Sequence, residues 1–167
     1  MTTGETAVRL RPPRNALDRR VVGWWLTQWL IAAVVCGTVL GLLGLWITPA
    51  RTWLWASAAA LSGLALLCAA VFPLWWYRVH RWEVTDEAVY VRTGSFWQEW
   101  RIAPMSRIQT VDTVRGPLER SFKLATVTVT TASSEGPVRI VGLDHEVAAG
   151  LVAELTRVTQ ATPGDAT

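Results

Sequence analysis

The chain has 167 residues, with 16 basic and 13 acidic side chains and a formal net charge of +3. Residues 78–167 contain ten basic and eleven acidic side chains, so the positive excess comes from the N-terminal arginines and a nucleic-acid-binding surface is not expected. No Asp, Glu, Lys or Arg occurs in residues 21–50 or 52–76, which excludes a wholly water-soluble chain and divides it into two physical environments.

The two uncharged runs predict a transmembrane helical hairpin over residues 21–77, with spans at about 21–47 and 52–77. Each run exceeds the roughly 20 apolar residues that cross a bilayer as a helix. A cleaved signal sequence does not explain the first run, because the apolar part of a signal has only about 7–15 residues. The short link Ile47–Arg51 leaves no room for an external domain, so both ends of the hairpin face one side.

The arginines predict which side that is, because Lys and Arg near membrane spans are retained in the cytoplasm. Five arginines lie in the basic N-terminal segment 1–20, one lies in the link and two directly follow the second span: Arg9, Arg11, Arg14, Arg19 and Arg20, then Arg51, then Arg78 and Arg81. We therefore expect a multi-pass protein of the cell membrane with both termini in the cytoplasm. Tryptophans at both boundaries, Trp24 and Trp25 among them, fit the headgroup layer.

Small residues recur at helical spacing within the spans. Gly37 and Gly41 form a GxxxG motif, and Ala59 and Gly63 have the same spacing in the second span. Small residues allow close helix contact, either within the hairpin or with another subunit, and the motif leaves both alternatives open. The absence of charge within the spans argues against a transporter or a channel.

From residue 78 the pattern changes to short runs separated by turn residues, which is typical of β-structure. Strands are predicted at residues 79–84, 88–92, 96–102, 107–114, 125–131 and 138–141, which indicates a small antiparallel sandwich or barrel over residues 78–160. Asp144 is suited to cap a C-terminal helix. Its predicted apolar stripe is Val147, Leu151, Leu155 and Val158, and residues 161–167 form a flexible tail.

The stretch RGPLERSFK, residues 115–123, combines cationic and large apolar side chains. Its candidate contact residues are Arg115, Leu118, Arg120, Phe122 and Lys123. Pro117 is suited to the first turn of a helix, which would turn an apolar face inward. The stretch could contact the membrane surface, a protein partner or only solvent. We favour a partner, because Glu119 and Asp112 reduce the local positive charge.

Three stretches, one of which includes RGPLERSFK, carry a family resemblance: RIQTV, RGPLERSFKLATVTVTTAS and IVGLDHEVAAGLVAEL. Together with the two preceding spans, they resemble the bacterial pleckstrin-homology (PH) proteins of the YdbS-like type. The resemblance implies a partly open PH-like barrel with a C-terminal capping helix. That family tends to place glycine after the phenylalanine, whereas this chain has Lys123, a residue type that disfavours a left-handed turn.

The resemblance does not supply a ligand. Eukaryotic relatives of the fold bind phosphoinositides with basic residues on the loop between their first two strands, and that loop here is the acidic Thr85–Asp86–Glu87. The headgroup function is therefore not carried over.

No catalytic motif is recognisable in the sequence, which has no nucleotide-binding glycine loop, no serine elbow and only two histidines. We expect neither enzymatic activity nor a cofactor or metal. The sequence predicts a membrane-anchored interaction or assembly module of the bacterial cell envelope, and the alternative is a sensor of anionic lipid or amphiphile at the inner leaflet. The expected partners are the lipid bilayer and either a second copy or a larger membrane protein with similar domains.

Overall fold

The computed structural model describes residues 13–94, 97–132 and 136–161. Most of the predicted basic segment, residues 1–12, and all but the first residue of the predicted tail lie outside the described residues. The described part of the chain forms two long helices followed by two small antiparallel sheets and a C-terminal helix, which confirms the predicted fold class.

The long helices are α1, Arg20–Trp46, and α2, Arg51–Val79, and a 3-10 turn at Thr48–Ala50 joins them. They pack as an antiparallel pair, as contacts at both ends show. The indole rings of Trp25 and Trp76 lie 5.4 Å apart at one end, and Trp55 Nε1 donates to the Gly41 carbonyl at the other. Only 11% of the most apolar part of each helix is buried. A core helix of a soluble protein would be mostly buried, so both helices have the length and the exposed apolar surface of membrane spans.

The strands form two sheets that do not close into a barrel. The first sheet contains β1, Asn15–Ala16, β2, Arg81–Val84, β3, Ala88–Thr93, and β4, Glu99–Pro104, in that order. The second contains β5, Ile108–Val114, β6, Leu124–Thr131, and β7, Val138–Asp144. Helix α3, Pro117–Ser121, connects β5 to β6, and α4, His145–Ala161, follows β7. We call residues 81–161 the β-domain.

Several strand bounds differ from the prediction, and β7 continues to Asp144 rather than ending at residue 141. The first predicted strand begins at Arg81 rather than at residue 79, because α2 continues to Val79. The strand predicted from residue 96 begins at Glu99, while Phe96 lies outside the described residues. Strand β1 was not predicted, since two residues are too short to show an alternating pattern.

The core of the β-domain lies between the two sheets and α4. Ala148, Leu151 and Leu155 of α4 are buried in it, and Val158 packs against it. The predicted stripe was wrong at Val147, which is about half exposed. Steps of three, four and three residues from Ala148 follow the 3.6-residue helical period more closely than the predicted steps of four, four and three.

The strand directions define two ends of the β-domain. Strand β1 leads into α1, and β2 begins directly after α2. Ala16 of β1 pairs with Arg81 of β2, so the end of the first sheet that contains this pair lies next to the helices. We call it the helix-proximal end. It also contains Gly94, Trp97 and Gln98, the described residues between β3 and β4, which we call the β3–β4 turn, and the β6 residue Leu124, which packs against α1. The β2–β3 turn, residues 85–87, lies at the opposite, helix-distal end.

Candidate interaction site at the helix junction

The β-domain is joined to the long helices by an apolar cluster, which we call the junction cluster. Its buried members are Leu17, Val21, Trp25 and Leu124, and Val21 and Leu124 have no exposed surface. Six partly buried side chains surround them: Val22, Trp24, Trp76, Tyr77, Trp82 and Phe122. Because the cluster takes members from α1, α2 and both sheets, it fixes the β-domain against the helices.

Strand β7 approaches the start of α1 closely enough to require glycine. Gly142 has φ +71, and a Cβ atom at this position would collide with the Val21 side chain. The backbone amide of Asp18 donates to the Gly142 carbonyl at 3.1 Å. Beside this contact, the Arg20 guanidinium pairs with the Asp144 carboxylate at 2.7 Å.

Asp144 also caps α4, as the sequence predicted. Its Oδ1 accepts the backbone N–H of Glu146 at 2.9 Å. This hydrogen bond is the main cause that lowers the pKa of Asp144, and Arg20 lowers it further.

The carbonyl groups at the end of α2 are satisfied by side chains of the β-domain and its linker. Arg81 Nη1 donates to the Tyr77 carbonyl at 2.9 Å, and Arg92 Nε donates to the Val79 carbonyl at 3.0 Å. Cations at a helix C-terminus also complement the helix dipole. His80 Nδ1 donates to the Trp76 carbonyl at 2.8 Å, and burial lowers the pKa of His80 although this hydrogen bond opposes the shift.

Residues 115–123 lie at the same junction. The Phe122 ring packs against Gly23 of α1, where a Cβ atom would lie 3.1 Å from Phe122 Cε1. Lys123 has φ +55, so the left-handed turn is present even though lysine replaces the usual glycine. The backbone holds this conformation, because the Lys123 amide donates to Arg120 and the His145 amide donates to the Lys123 carbonyl, both at 3.1 Å.

Glu119 lies inside this segment rather than on its surface. It is 7% exposed. Its two carboxylate oxygens accept from the Gly116 amide at 2.6 Å and from Thr126 Oγ1 at 2.7 Å. Glu119 therefore serves the fold, and the sequence reading that counted it as a surface charge was wrong. The exposed charges of α3 and the following turn are those of Arg120 and Lys123.

Comparison with known proteins agrees with this architecture. The family described as Bacterial PH domain matches residues 18–159, most of the chain. The chain belongs to the bacterial PH domain family. It is also similar to the UPF0699 transmembrane protein YdbS of Bacillus subtilis (strain 168), with 28% identity over 157 residues that cover 92% of this chain and 97% of that protein. No solved structure matches the chain. This PH protein is thus membrane-associated, and two of its helices are long and apolar enough to cross a membrane.

The remaining residues of the predicted contact segment in this PH protein are partly buried. Arg115 Nε donates to the Leu124 carbonyl at 3.1 Å, and Leu118 is half-buried. Ala125, two residues beyond Lys123, lies buried in β6. The structure therefore brings Phe122, with its neighbours Arg120 and Lys123, to the start of α1, and turns Arg115 toward the backbone of β6.

The predicted packing residues of the PH protein's helices have two different environments. A Cβ atom at Gly37 would lie 2.9 Å from Ser62 Oγ, so Gly37 lies at the contact between α1 and α2. Added Cβ atoms at Gly41 and Gly63 would meet nothing within 4 Å among the described residues, and Ala59 is exposed. Gly41 nevertheless contacts the opposite helix through its carbonyl, which accepts from Trp55 Nε1 at 3.3 Å. Gly37 and Gly41 of α1 therefore lie at the contact with α2, whereas Ala59 and Gly63 face away from it.

Sequence reasoning missed the residues that join the helices to the domain. Trp25 was assigned to the headgroup layer, but it is buried against Trp76 and His80. Leu17 was not singled out, because its partners in the junction cluster are distant in the sequence. Among the described residues, no group of three or more His, Cys, Asp or Glu could hold a metal ion.

Proposed function

We propose that this bacterial PH protein is a non-catalytic assembly module of the cell envelope, with both termini in the cytoplasm. The junction cluster carries this proposal, because it holds the β-domain against the two helices with Val21 and Leu124 fully buried. A domain on a flexible linker samples many orientations, whereas here a single residue, His80, separates α2 from β2. The β-domain therefore presents its surfaces to a partner in one orientation relative to the bilayer.

The cytoplasmic orientation is supported by the distribution of arginines described above. The helix-proximal end then lies at the inner leaflet, and the helix-distal end points into the cytoplasm. Arg19, directly before α1, and Arg78, in the last turn of α2, are exposed at this boundary.

Association through the membrane is supported by the environment of the small residues in α2. Ala59 and Gly63 are one helical turn apart and exposed, and an added Cβ at Gly63 meets nothing within 4 Å among the described residues. Small residues on an exposed helix face allow the backbone of another helix to approach closely. A second copy of the chain or a larger membrane protein with similar domains is the partner that we propose for this face.

The test compares two leucine substitutions in α2. We expect Gly63→Leu to reduce the mass of the protein complex, measured by light scattering in a mild detergent with the detergent contribution subtracted. Ser57→Leu is the matched control, because Ser57 is exposed about 160° around the helix from Ala59. Gly37 is unsuitable, since its substitution would disturb the hairpin itself. A monomeric wild-type protein without a co-purifying membrane protein would contradict the proposal.

The contact between Phe122 and Gly23 favours a second candidate function, the binding of anionic lipid. This contact puts the exposed Arg120 and Lys123 beside the entry of α1 into the membrane. Each basic residue near an anionic surface contributes about 1 kcal/mol of attraction. Since Glu119 is bonded internally, it no longer offers a reason to prefer a protein partner for this segment.

Charge reversal tests this second function. The variant Arg120→Glu with Lys123→Glu should retain less phosphatidylglycerol during purification than the wild-type protein, while its circular dichroism spectrum stays the same. The variant Arg107→Glu with Arg157→Glu reverses the same number of exposed charges away from the helix-proximal end, and it should retain the lipid. Equal lipid retention by both variants would argue against lipid binding at residues 120–123.

A further inference from the structure

The β3–β4 turn exposes a large aromatic side chain. Among the described residues, the three most exposed tryptophans are Trp46, Trp53 and Trp97, at 86%, 78% and 88%. Trp46 and Trp53 flank the short link between the membrane helices, where indole rings favour the headgroup layer. Trp97 belongs to the β-domain and has the same degree of exposure as these two tryptophans.

The strand register locates this turn next to the end of α2. Arg92 of β3 pairs with Arg81 of β2, which follows the helix after His80 alone. The side chain of Arg92 reaches back to α2, because its Nε donates to the Val79 carbonyl at 3.0 Å. Thr93 is one residue beyond Arg92, about 3.3 Å further along the strand, and pairs with Glu99 as the last pair before the turn. The β3–β4 turn therefore lies close to the end of α2 at Val79.

The position of Trp97 is fixed by a tight turn. Gly94 has φ +113, and a Cβ atom at Gly94 would collide with the Trp97 carbonyl. At the base of the turn the Arg92 guanidinium lies 5.7 Å from the ring centre of Trp100, its partner on β4. These contacts tie the hairpin of β3 and β4 to the end of α2.

We propose that Trp97 enters the headgroup layer of the leaflet that faces the β-domain, and that the β3–β4 turn is a lipid contact distinct from residues 120–123. An indole has an apolar body and one N–H donor, which suits the boundary between acyl chains and headgroups. The turn lies near the end of α2, because Arg92, two residues before Gly94, donates to the carbonyl of Val79, the last residue of that helix. The proposal does not depend on which side of the membrane carries the β-domain, or on the assembly function proposed above.

The depth of the turn can be measured with spin labels on the full chain in vesicles of phosphatidylethanolamine and phosphatidylglycerol. Cys36 and Cys68 are first replaced by alanine, and single cysteines are then introduced by Trp97→Cys or, as a helix-distal control, by Glu87→Cys. Glu87 is exposed in the β2–β3 turn. At position 97 we expect frequent collisions with oxygen and several-fold fewer collisions with a water-soluble nickel chelate than at position 87.

Two other results would each overturn the proposal. If the nickel chelate reaches positions 97 and 87 equally, the turn lies in water. If both oxygen and nickel are excluded at position 97, the side chain is covered by protein rather than lipid. The mass of the complex does not enter this readout, so its outcome is independent of the test of assembly.

A second labelling site retains the tryptophan. Gln98 is exposed beside Trp97, and a label introduced by Gln98→Cys should be protected from the nickel chelate while Trp97 is present. Addition of Trp97→Ser should remove much of this protection, and unchanged protection would overturn the role of the indole. Because the Trp97 side chain is 88% exposed, its replacement removes little packing from the β-domain.

Discussion

The two ends of the β-domain differ in what their residues contact. At the helix-proximal end, side chains from both sheets meet α1 and α2, with Leu124 buried and Arg92 bonded to the Val79 carbonyl. At the helix-distal end, the β2–β3 turn exposes Asp86 and Glu87. The eukaryotic fold uses the corresponding loop for phosphoinositides, but here it is acidic and points away from the helices. We therefore propose the helix-proximal end, rather than this loop, as the part of the β-domain that contacts lipid.

The same comparison separates residues that are constrained by packing from those that are not. Helix-proximal positions are buried or bonded to a second element, so substitutions there should change stability or pH dependence. Matched positions away from these contacts provide the controls for the two largest effects.

The largest effect is expected from alanine at the close contact between β7 and α1. Gly142→Ala should lower the free energy of unfolding by about 2–5 kcal/mol, because it adds left-handed strain to overpacking against Val21. Gly136→Ala, which lies away from the contact between β7 and α1, is the control. It also has a positive φ, +83, but its Cβ would meet only the end of Arg101 at 4.0 Å. It should cost about 1–2 kcal/mol.

Denaturant unfolding in detergent, followed by circular dichroism, measures both variants. Addition of Val21→Ala to Gly142→Ala should recover part of the loss, since a smaller side chain relieves the collision. Equal losses for Gly142→Ala and Gly136→Ala would show that the approach of β7 to α1 is not tight.

The buried carboxylate of Glu119 should have the next largest effect. Glu119→Ala leaves the Gly116 amide and the Thr126 hydroxyl without their acceptor, which should cost about 1–3 kcal/mol of unfolding free energy. Glu119→Gln should cost less, because its carbonyl accepts one of these bonds and its amide donates to the Thr126 oxygen. The exposed Glu87 is the control, and Glu87→Ala should stay within about 0.5 kcal/mol of the wild type. A harmless Glu119→Ala would contradict this assignment.

A smaller effect is expected from the ionisation of His80. Burial lowers its pKa below the ordinary value of 6.5, so the unfolded chain binds the proton more readily than the folded chain. The contribution of His80 to stability is therefore fully present above pH 6.5 and decreases as the pH falls below it. Unfolding midpoints measured across this range should fall for the wild type and change less for His80→Gln. Parallel pH profiles for the two proteins would exclude His80 as the cause.

The smallest effect is expected at the partly exposed pair of Arg20 and Asp144. The pKa of Asp144 is lowered below its ordinary value of 3.8, chiefly by the Glu146 amide and then by Arg20. Its stabilising contribution is thus present above pH 3.8 and is lost as the pH falls through the lowered pKa. Asp144→Asn keeps a capping oxygen but lacks the titration, so its stability should vary less with pH in this range. The same acid sensitivity in both proteins would place its origin elsewhere.

The sequence predicted those parts of the fold that depend on local pattern. The uncharged runs located both long apolar helices, and the alternation of residues such as those of β5 indicated strands. The cap at Asp144 was also recognisable, because its hydrogen bond reaches only two residues along the chain.

The candidate site could be predicted only in part. Residues 115–123 were singled out by their mixture of charge and apolar groups, but their contact with Gly23 depends on the packing of distant elements. Glu119 was misread, since a buried carboxylate has the same sequence signal as an exposed one. The turn at Lys123 adopts a positive φ because backbone bonds to residues outside its own turn help to hold it.

The ion pair between Arg20 and Asp144 also bears on the order in which parts of the protein fold during synthesis. The two residues are 124 positions apart, and the first stands at the very beginning of α1. During synthesis, α1 enters the membrane long before its partners in β6 and β7 leave the ribosome. Until then Val21 and Trp25, buried in the finished protein, have no β-domain to cover them. Because such distant contacts form late, the β-domain closes onto the helices only as the last quarter of the chain is completed.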